Sequence, residues 1–392
     1  NSSESIVTNL IKHAEQRGRD SSGILLNKDH EYHIYKANYE ITKLTKNISF
    51  NSNFLMGHSR LITNGLYDNQ PVIRENICLI HNGIIVNTNS IWNKIPIERT
   101  LEIDSEVIIG LILNLMSEGI PLEKLPSKIL NICEGTISCA VAFLNLGKVL
   151  LFSNNGSLYL ANDKNNFYFA SESFPLKSSK LENIQQIFDK PAIFDIPKSD
   201  NTKIFEKKGK SYNYIPDLIP IEKKESLLLY RENKLKRCSK CILPETMPFI
   251  EFDNKGICNY CKNYKKRNKP QSISKLLKIV DKYRKNKSAD CIVPFSGGRD
   301  SCFALHLIKE ELNMKPITYT YDWGMITDLG RRNISRMCSK LKVENIIVAA
   351  DIEKKRKNIK TNLCAWLKSP NLGMVSILTA GDKHFFRHVE TV

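Results

Sequence analysis

The chain has 392 residues, 58 Lys and Arg against 41 Asp and Glu, a formal net charge of +17, and 42% hydrophobic and 25% charged residues. That is the composition of an ordinary soluble globular protein with room for two or three domains. No apolar run reaches membrane-spanning length, and the polar opening Asn1-Ser-Ser-Glu4 is unlike a signal peptide. Four of the eleven cysteines form a metal-binding pattern and the rest are scattered in apolar or helical contexts, which fits a reducing cytoplasm better than a disulfide framework. Residues 1–220 are electrically neutral and residues 221–392 carry the whole excess of +17. A basic half suits nucleic acid, a membrane surface or a polyanionic small substrate, and the general Ile, Asn and Lys richness offers a compositional explanation. The charge therefore permits RNA without implying it.

From the amino terminus the chain opens with a helical stretch, followed by motifs spaced as loops between short strands. They are Arg17-Gly-Arg-Asp-Ser-Ser-Gly23, Gly57-His-Ser-Arg-Leu-Ile-Thr-Asn-Gly65, Asn69-Gln-Pro71, His81-Asn-Gly-Ile-Ile-Val-Asn87 and Asp104-Ser-Glu106. Glu134–Phe143, Gly156–Leu160 and Phe169–Glu172 read as further strands. Gly57, Gly65 and Gly83 could each be plain turn glycines. That reading is weakest for Gly83, which stands between the run Ile77–Ile80 and a second strand. In this order the motifs resemble class II glutamine amidotransferase domains, which implies an α+β amino-terminal-nucleophile (αββα) fold with two stacked antiparallel sheets between helices. The alternative is an unrelated α+β domain. The resemblance implies that Arg60 binds the glutamine α-carboxylate and Asp104 its α-ammonium, roles suited to a forked cation and a countercharge. It also implies that Asn82 and the amide of Gly83 form an oxyanion hole. The family's nucleophile is an amino-terminal cysteine activated by its own α-amine. Cys78, Cys133 and Cys139 are poor substitutes, because none carries a free α-amine. The expectation is that a strand and turn of roughly ten residues, with that cysteine, precede Asn1.

Next come Cys238-x-x-Cys241 and Cys258-x-x-Cys261, separated by 16 residues, the spacing at which two knuckles surround one tetrahedral zinc. An iron–sulfur cluster is the other reading. A closed four-thiolate site has no open position, so its expected role is to hold the fold. Between the pairs, Leu243–Ile257 reads as a short hairpin turned by Asp253-Asn-Lys-Gly256.

Further on, Ser296-Gly-Gly-Arg-Asp-Ser301 lies between the apolar run Cys291–Phe295 and an amphipathic helix over Cys302–Ile308, with the helix starting near Asp300. Two glycines and a helix start suit a polyphosphate, although a Gly-Gly turn before an ordinary helix is the plainer reading. The spacing is not that of a Walker loop. It resembles the PP-loop of ATP pyrophosphatases, which implies an α/β, adenine nucleotide alpha hydrolase-like domain binding ATP and Mg²⁺. Ser296, Gly297, Gly298, Asp300 and Ser301 would then meet the pyrophosphate, with Asp300 positioning Mg²⁺ or the loop. Asp322, ending the strand Pro316–Tyr321, lies where doubly wound sheets place ligand-contacting residues. Arg331 and Arg332 are phosphate or acceptor candidates, or a solvated helix face, and Lys383 is a further candidate.

Arg237–Pro248, Gly256–Cys261, the Ser296 loop, Asp322–Asn333, Leu372–Met374 and Ala380–Lys383 together resemble the N-acetyl sugar amidotransferase family. The resemblance covers about Lys236 to the last residue, and that family's proteins continue past the point matching Val392. The expected divisions are a glutaminase domain over 1–228, a zinc module and linker over 229–270, and a synthetase domain over 271–392. The whole is similar in logic to asparagine synthetase. It implies a cytoplasmic enzyme that takes ammonia from L-glutamine, adenylates a sugar or nucleotide-sugar acceptor and aminates it, in surface polysaccharide synthesis, with homo-oligomerisation left open. The competing readings are a tRNA-thiolating PP-loop enzyme, an asparagine-synthetase-like enzyme with another small acceptor, and a non-catalytic assembly protein.

Overall fold

A computed structural model describes residues 2–63, 65, 68–163, 166–188, 190–207, 234–266, 271–284, 289–369 and 389–390. Contacts group the chain into two units, one of residues 1–211, 277–350 and 388–392, the other of residues 212–276 and 351–387. In chain order the first part runs α1 (Ser2–Arg17), β1 (Ser21–Lys28), β2 (Glu31–Ala37), α2 (Ile41–Thr45), β3 (Leu55–Arg60), β4 (Val72–Arg74) and β5 (Ile77–Ile85). It continues with α3 (Thr88–Trp92), α4 (Glu106–Ser117), α5 (Leu125–Ile132), β6 (Gly135–Phe143), β7 (Lys148–Ser153), β8 (Tyr159–Asn162) and β9 (Phe167–Ala170). Then come α6 (Ser173–Ser178), β10 (Glu182–Gln186), β11 (Ala192–Asp195) and β12 (Thr202–Lys207).

Alternation along the strands builds four layers. In β1, Ile24 and Leu26 face Ile11 of α1 and Ile41 of α2, while Leu25 points the other way, into a core shared with β5, β6 and β7. In β5, Cys78 and Ile80 face that shared core, whereas Ile77 and Leu79 pack on Val107, Leu111 and Ile112 of α4 and Ile129 of α5. Each such fully buried aliphatic side chain contributes roughly 1.5–3 kcal/mol relative to exposure. The result is an αββα stack, as the resemblance to class II amidotransferase domains implies. Its sheets are ordered β12-β2-β1-β3 and β11-β7-β6-β5-β4, and a short sheet β10-β8-β9 lies beside them. Asp29 and His30, at φ +52° and +63°, close the two-residue β1–β2 turn.

The same unit includes β13 (Cys291–Pro294), β14 (Pro316–Asp322) and β15 (Asn345–Ala349), a parallel sheet in that order, with α9 (Arg299–His306) and α10 (Asp328–Lys340) as crossovers. Val293, Phe295, Leu305, Ile334 and Cys338 fill its core. The chain also has α7 (Asn259–Asn263), α8 (Ile273–Val280) and α11 (Ile352–Lys368). Among the described residues no helix is long and apolar enough to cross a membrane.

Three local readings change. Gly83 does not separate two strands; β5 runs unbroken from Ile77 to Ile85 with Gly83 at φ +148°. Helix α9 ends at His306 and passes into a π-helical turn over Leu307–Glu311. The hairpin expected over Leu243–Ile257 reduces to isolated bridges, Arg237 with Pro244 and Phe252 with Cys258, because the local bonds go into turns around the cysteines.

Candidate functional site

Four residues expected to handle glutamine are far apart in sequence, and the fold brings them to one cavity of about 80 Å³. Arg60 ends β3 and is 3% exposed. Its guanidinium donates from Nη1 and Nη2 to the Gly65 carbonyl at 3.1 Å and from Nη1 to the Asp68 carbonyl, so it also pins the loop before β4. Burial lowers its pKa, and Asp104, Asp68 and Asp20 oppose that shift. Asp104 is fixed just before α4: its Oδ2 accepts from the Ile85 amide at 2.8 Å. Asn82 and Gly83 lie on β5 and line the same cavity. A Cβ on Gly83 would stand 1.9 Å from the Thr136 carbonyl oxygen and in a strained conformation, so glycine is required there.

The motif's His81 has a role that sequence reasoning did not assign. It is 2% exposed, and its Nε2 lies 3.3 Å from the Thr136 carbonyl, an acceptor only, which places the ring proton on Nε2. Nδ1 then accepts from Ser105 Oγ at 3.0 Å. Burial lowers its pKa, with Asp104 and the bond to Thr136 opposing, so the ring is neutral. Gln70 clamps the His81 backbone, accepting from its amide at 2.7 Å and donating to its carbonyl at 3.0 Å. His58, on β3, is partly exposed as a residue but its ring sits among protein atoms, and that desolvation followed by the nearby Arg60 pushes its pKa down to about 3. Its Nδ1 has no hydrogen-bond partner among the described residues. A second cavity, of about 1030 Å³, shares His58, His81 and Asn82 with the first and is bordered by Leu55–Ser59 of β3 and Phe167–Ala170 of β9.

None of the three cysteines in this region suits nucleophilic work. Burial pushes Cys78 and Cys133 up to about 12 and raises Cys139 well above the ordinary thiol value.

The Ser296 loop connects β13 to α9, and Gly297 has φ +73°. Ser301 Oγ donates to the Gly298 carbonyl at 3.0 Å and lies 3.2 Å from Ser296 Oγ. Arg299 and Asp300 are almost fully exposed, 95% and 93% at their side chains. Asp322 is buried and engaged: its Oδ2 accepts from Arg331 Nη2 at 2.8 Å and Nε at 3.2 Å, and its Oδ1 from the Gly324 amide at 2.9 Å. Arg331 also lines the cavity of Arg60 and Asp104, a placement invisible in sequence because more than 200 positions separate it from either. Arg332 pairs with Asp328 at 2.8 Å. Lys383, with Leu372–Met374 and Ala380–Asp382, lies outside the described residues.

Within the second unit, Cys238, Cys241, Cys258 and Cys261 gather their sulfurs within 4.8 Å of one another. Sγ–Sγ distances of 4.0 Å (Cys238–Cys261) and 3.6 Å (Cys241–Cys258) are far beyond a disulfide. They match the roughly 3.8 Å edge of a tetrahedron whose metal–sulfur bonds are about 2.3 Å. The amides of Lys240 and Cys258 point at Cys238 Sγ from 3.4 and 3.3 Å, as donors that stabilise thiolate charge. The donor set therefore fits a structural metal ion.

Comparison with known proteins agrees with this geometry. Residues 58–178 match the family model of a glutamine amidotransferase domain, and the chain carries such a domain there. The glutamine–fructose-6-phosphate aminotransferase of Oceanobacillus iheyensis is 25% identical over 203 residues, covering 49% of this chain and 34% of that protein. Its counterpart in Campylobacter jejuni is 28% identical over 198 residues, covering 48% and 30%. The chain thus spans about a third of the length of these relatives. The solved glutamine phosphoribosylpyrophosphate amidotransferase of B. subtilis is 18% identical, with a TM-score of 0.41 over 50% of this chain and 48% of that one.

Proposed function

We propose that the chain is a glutamine- and ATP-dependent amidotransferase that adenylates a sugar acceptor, nucleotide-linked in our reading, and aminates it with ammonia from glutamine. The observation that carries the first half is the convergence of Arg60, Asp104, Asn82 and Gly83 on one cavity inside the amidotransferase match. Arg60 and Asp104 take the α-carboxylate and α-ammonium, and the Asn82 amide and Gly83 N–H take the developing oxyanion. The resemblance to class II amidotransferases assigns the nucleophile to an amino-terminal cysteine with a free α-amine; Cys78, Cys133 and Cys139, buried with raised pKa values, are poor substitutes.

For the second half, the parallel strand-loop-helix setting of Ser296–Ser301 suits the phosphates of ATP. The acceptor oxygen attacks the α-phosphorus, the bond to the β-phosphate breaks, and pyrophosphate leaves. Ammonia then attacks the activated carbon, the carbon–oxygen bond breaks, AMP leaves, and a proton is lost to water. Asp300 would position Mg²⁺, and the ion would supply charge neutralisation at the phosphates. Zinc on the four cysteines would hold the fold around residues 234–266. In this reading surface polysaccharide synthesis is the setting and phosphates of the acceptor complement the basic half.

The test supplies the full-length protein with Mg-ATP, glutamine or ammonia, and either nucleotide sugars or bulk tRNA. AMP release with amination of a sugar is expected, and Ser296→Ala or Asp300→Ala should abolish AMP formation while glutamine hydrolysis persists. ADP as product overturns the adenylating step. Sulfur incorporation into tRNA with every sugar silent overturns the acceptor.

A further inference from the structure

Much of the chain's positive charge gathers in one stretch that neither proposed site uses. From Lys262 to Lys287 the sequence holds eleven Lys or Arg and a single acid, Asp281, a net of +10 out of the chain's +17. Inside that stretch lies α8, Ile273-Ser-Lys-Leu-Leu-Lys-Ile-Val280, followed by a 3-10 turn over Asp281–Tyr283. At about 100° per residue, Ile273, Leu276, Ile279 and Tyr283 fall on one side, with Lys275, Lys278 and Lys282 on its flank and behind. The apolar row is the open one: its members are 59%, 36%, 53% and 61% exposed. Leu277 and Val280 are partly buried, and Arg284 fixes the end of the segment, donating to the Leu312 and Asn313 carbonyls at 2.8 and 2.9 Å. Its Nε also pairs with Asp281 at 2.8 Å, whereas among the described residues no ion pair engages Lys275, Lys278 or Lys282.

We infer that α8 is a membrane-surface contact: its aliphatic row enters the interface of an anionic phospholipid bilayer while the lysines around it meet the headgroup charges. Exposed Ile and Leu side chains gain by leaving water, and each Lys close to an anionic leaflet adds attraction. The lysine stems lie along the apolar boundary with their ammonium groups still in water. The side chains on offer select this occupant. RNA is gripped by stacking on aromatic faces, and three of the four open side chains are aliphatic. A protein groove that wraps a helix would need the side closed by Leu277, Val280 and Arg284, whereas a flat bilayer needs one stripe. A helix of two turns holds a membrane only reversibly, so the contact depends on lipid charge and on salt.

Flotation of the full-length protein with vesicles of pure phosphatidylcholine, or of phosphatidylcholine mixed with phosphatidylserine, tests this. The mixed vesicles should carry the protein at low salt and release most of it in about 1 M salt, where the Debye length is about 3 Å. Ile279→Asp should weaken binding at least about tenfold and Lys278→Gln about fivefold, while Ile279→Leu binds as wild type. Both positions are exposed, so every variant should keep the wild-type melting midpoint. Equal binding to the two kinds of vesicle, binding to neither, or an Ile279→Asp variant that floats as wild type overturns the proposal. A dimer that Ile279→Asp dissolves would give the face to a second copy, and retention of single-stranded RNA with vesicles unbound would give it to nucleic acid; either result also overturns it.

Discussion

In the function proposed above the glutamine region and the Ser296 region each hold a charged ligand, and they are built in opposite ways. Around the first cavity the polar groups are buried and already bonded: Arg60 to two carbonyls, Asp104 to the Ile85 amide, His81 to Ser105 and Thr136. At the second, Arg299 and Asp300 lie in solvent with only each other for company. Preorganisation removes the cost of ordering groups at the moment of binding, whereas an exposed loop leaves that cost to the ligand. The glutamine pocket should therefore be sensitive to sub-ångström changes and the loop more tolerant, apart from Gly297, which is closely packed at φ +73°, and the charged or hydroxyl groups.

The largest expected effect lies outside both. Cys258→Ala removes one of four thiolates, and structural zinc is worth on the order of 10 kcal/mol or more to such modules. The variant should lose its metal and become protease-sensitive around residues 234–266, while anaerobically prepared wild type holds about one zinc per chain by metal analysis. Iron with visible charge-transfer bands would replace zinc with a cluster. Next comes Gly83→Ala: with a carbonyl oxygen 1.9 Å from the new methyl, β5 must part from β6, at a cost of about 4 kcal/mol or more. Thermal unfolding and glutamine hydrolysis should fall together. A variant of wild-type stability would mean the cavity is looser than its packing implies.

How much of this could be read from the sequence follows the same divide. The αββα layering was legible only through the resemblance to class II amidotransferase domains; the alternation of β1 and β5 between two apolar environments is seen in the packed structure. The residues assigned to glutamine came from the resemblance of short motifs to class II amidotransferase domains, and the fold brings Arg60, Asn82, Gly83 and Asp104 to one cavity. What escaped is what depends on long-range packing. Ser335 meets Thr136 across 199 positions, and nothing local marks it. Arg331 reads equally as a phosphate ligand or a solvated face; its bond to buried Asp322 is a product of the parallel sheet. Gly83 looked like a break because glycine between apolar runs usually is one, and here a close approach of β6 keeps the strand continuous.

A smaller effect belongs to Arg60→Ala. Loss of a charge-assisted partner for the α-carboxylate costs about 1.5–3 kcal/mol, a rise of roughly 10- to 150-fold in the glutamine KM. Arg60→Lys should recover little, because one ammonium cannot replace a fork that holds the Gly65 and Asp68 carbonyls while facing ligand. Full activity in Arg60→Lys would show that charge alone suffices and that the pocket is less preorganised than its bonds suggest.

An effect of similar size, reached in full only above neutral pH, lies between the two regions. Glu344, before β15, accepts a 2.5 Å hydrogen bond from Tyr159 Oη on β8 and is 7% exposed. Burial pushes its carboxyl up to about 7; the Tyr159 bond and Arg17 pull it down, and Glu172 pushes it up. With a folded value above the ordinary 4.5, the folded protein holds a proton that the unfolded chain has released. Its stabilising contribution is complete below about pH 4.5, declines as pH rises and is gone above about pH 7. Glu344→Gln keeps the shape and cannot ionise, so its stability should not fall over that window. At pH 8 the variant should exceed wild type by roughly 2–3 kcal/mol, and near pH 4.5 the two should coincide. Urea midpoints at half-unit pH steps measure the difference. Parallel curves for the two proteins would place Glu344 in contact with water and dissolve the dry seam between the glutamine region and the parallel sheet.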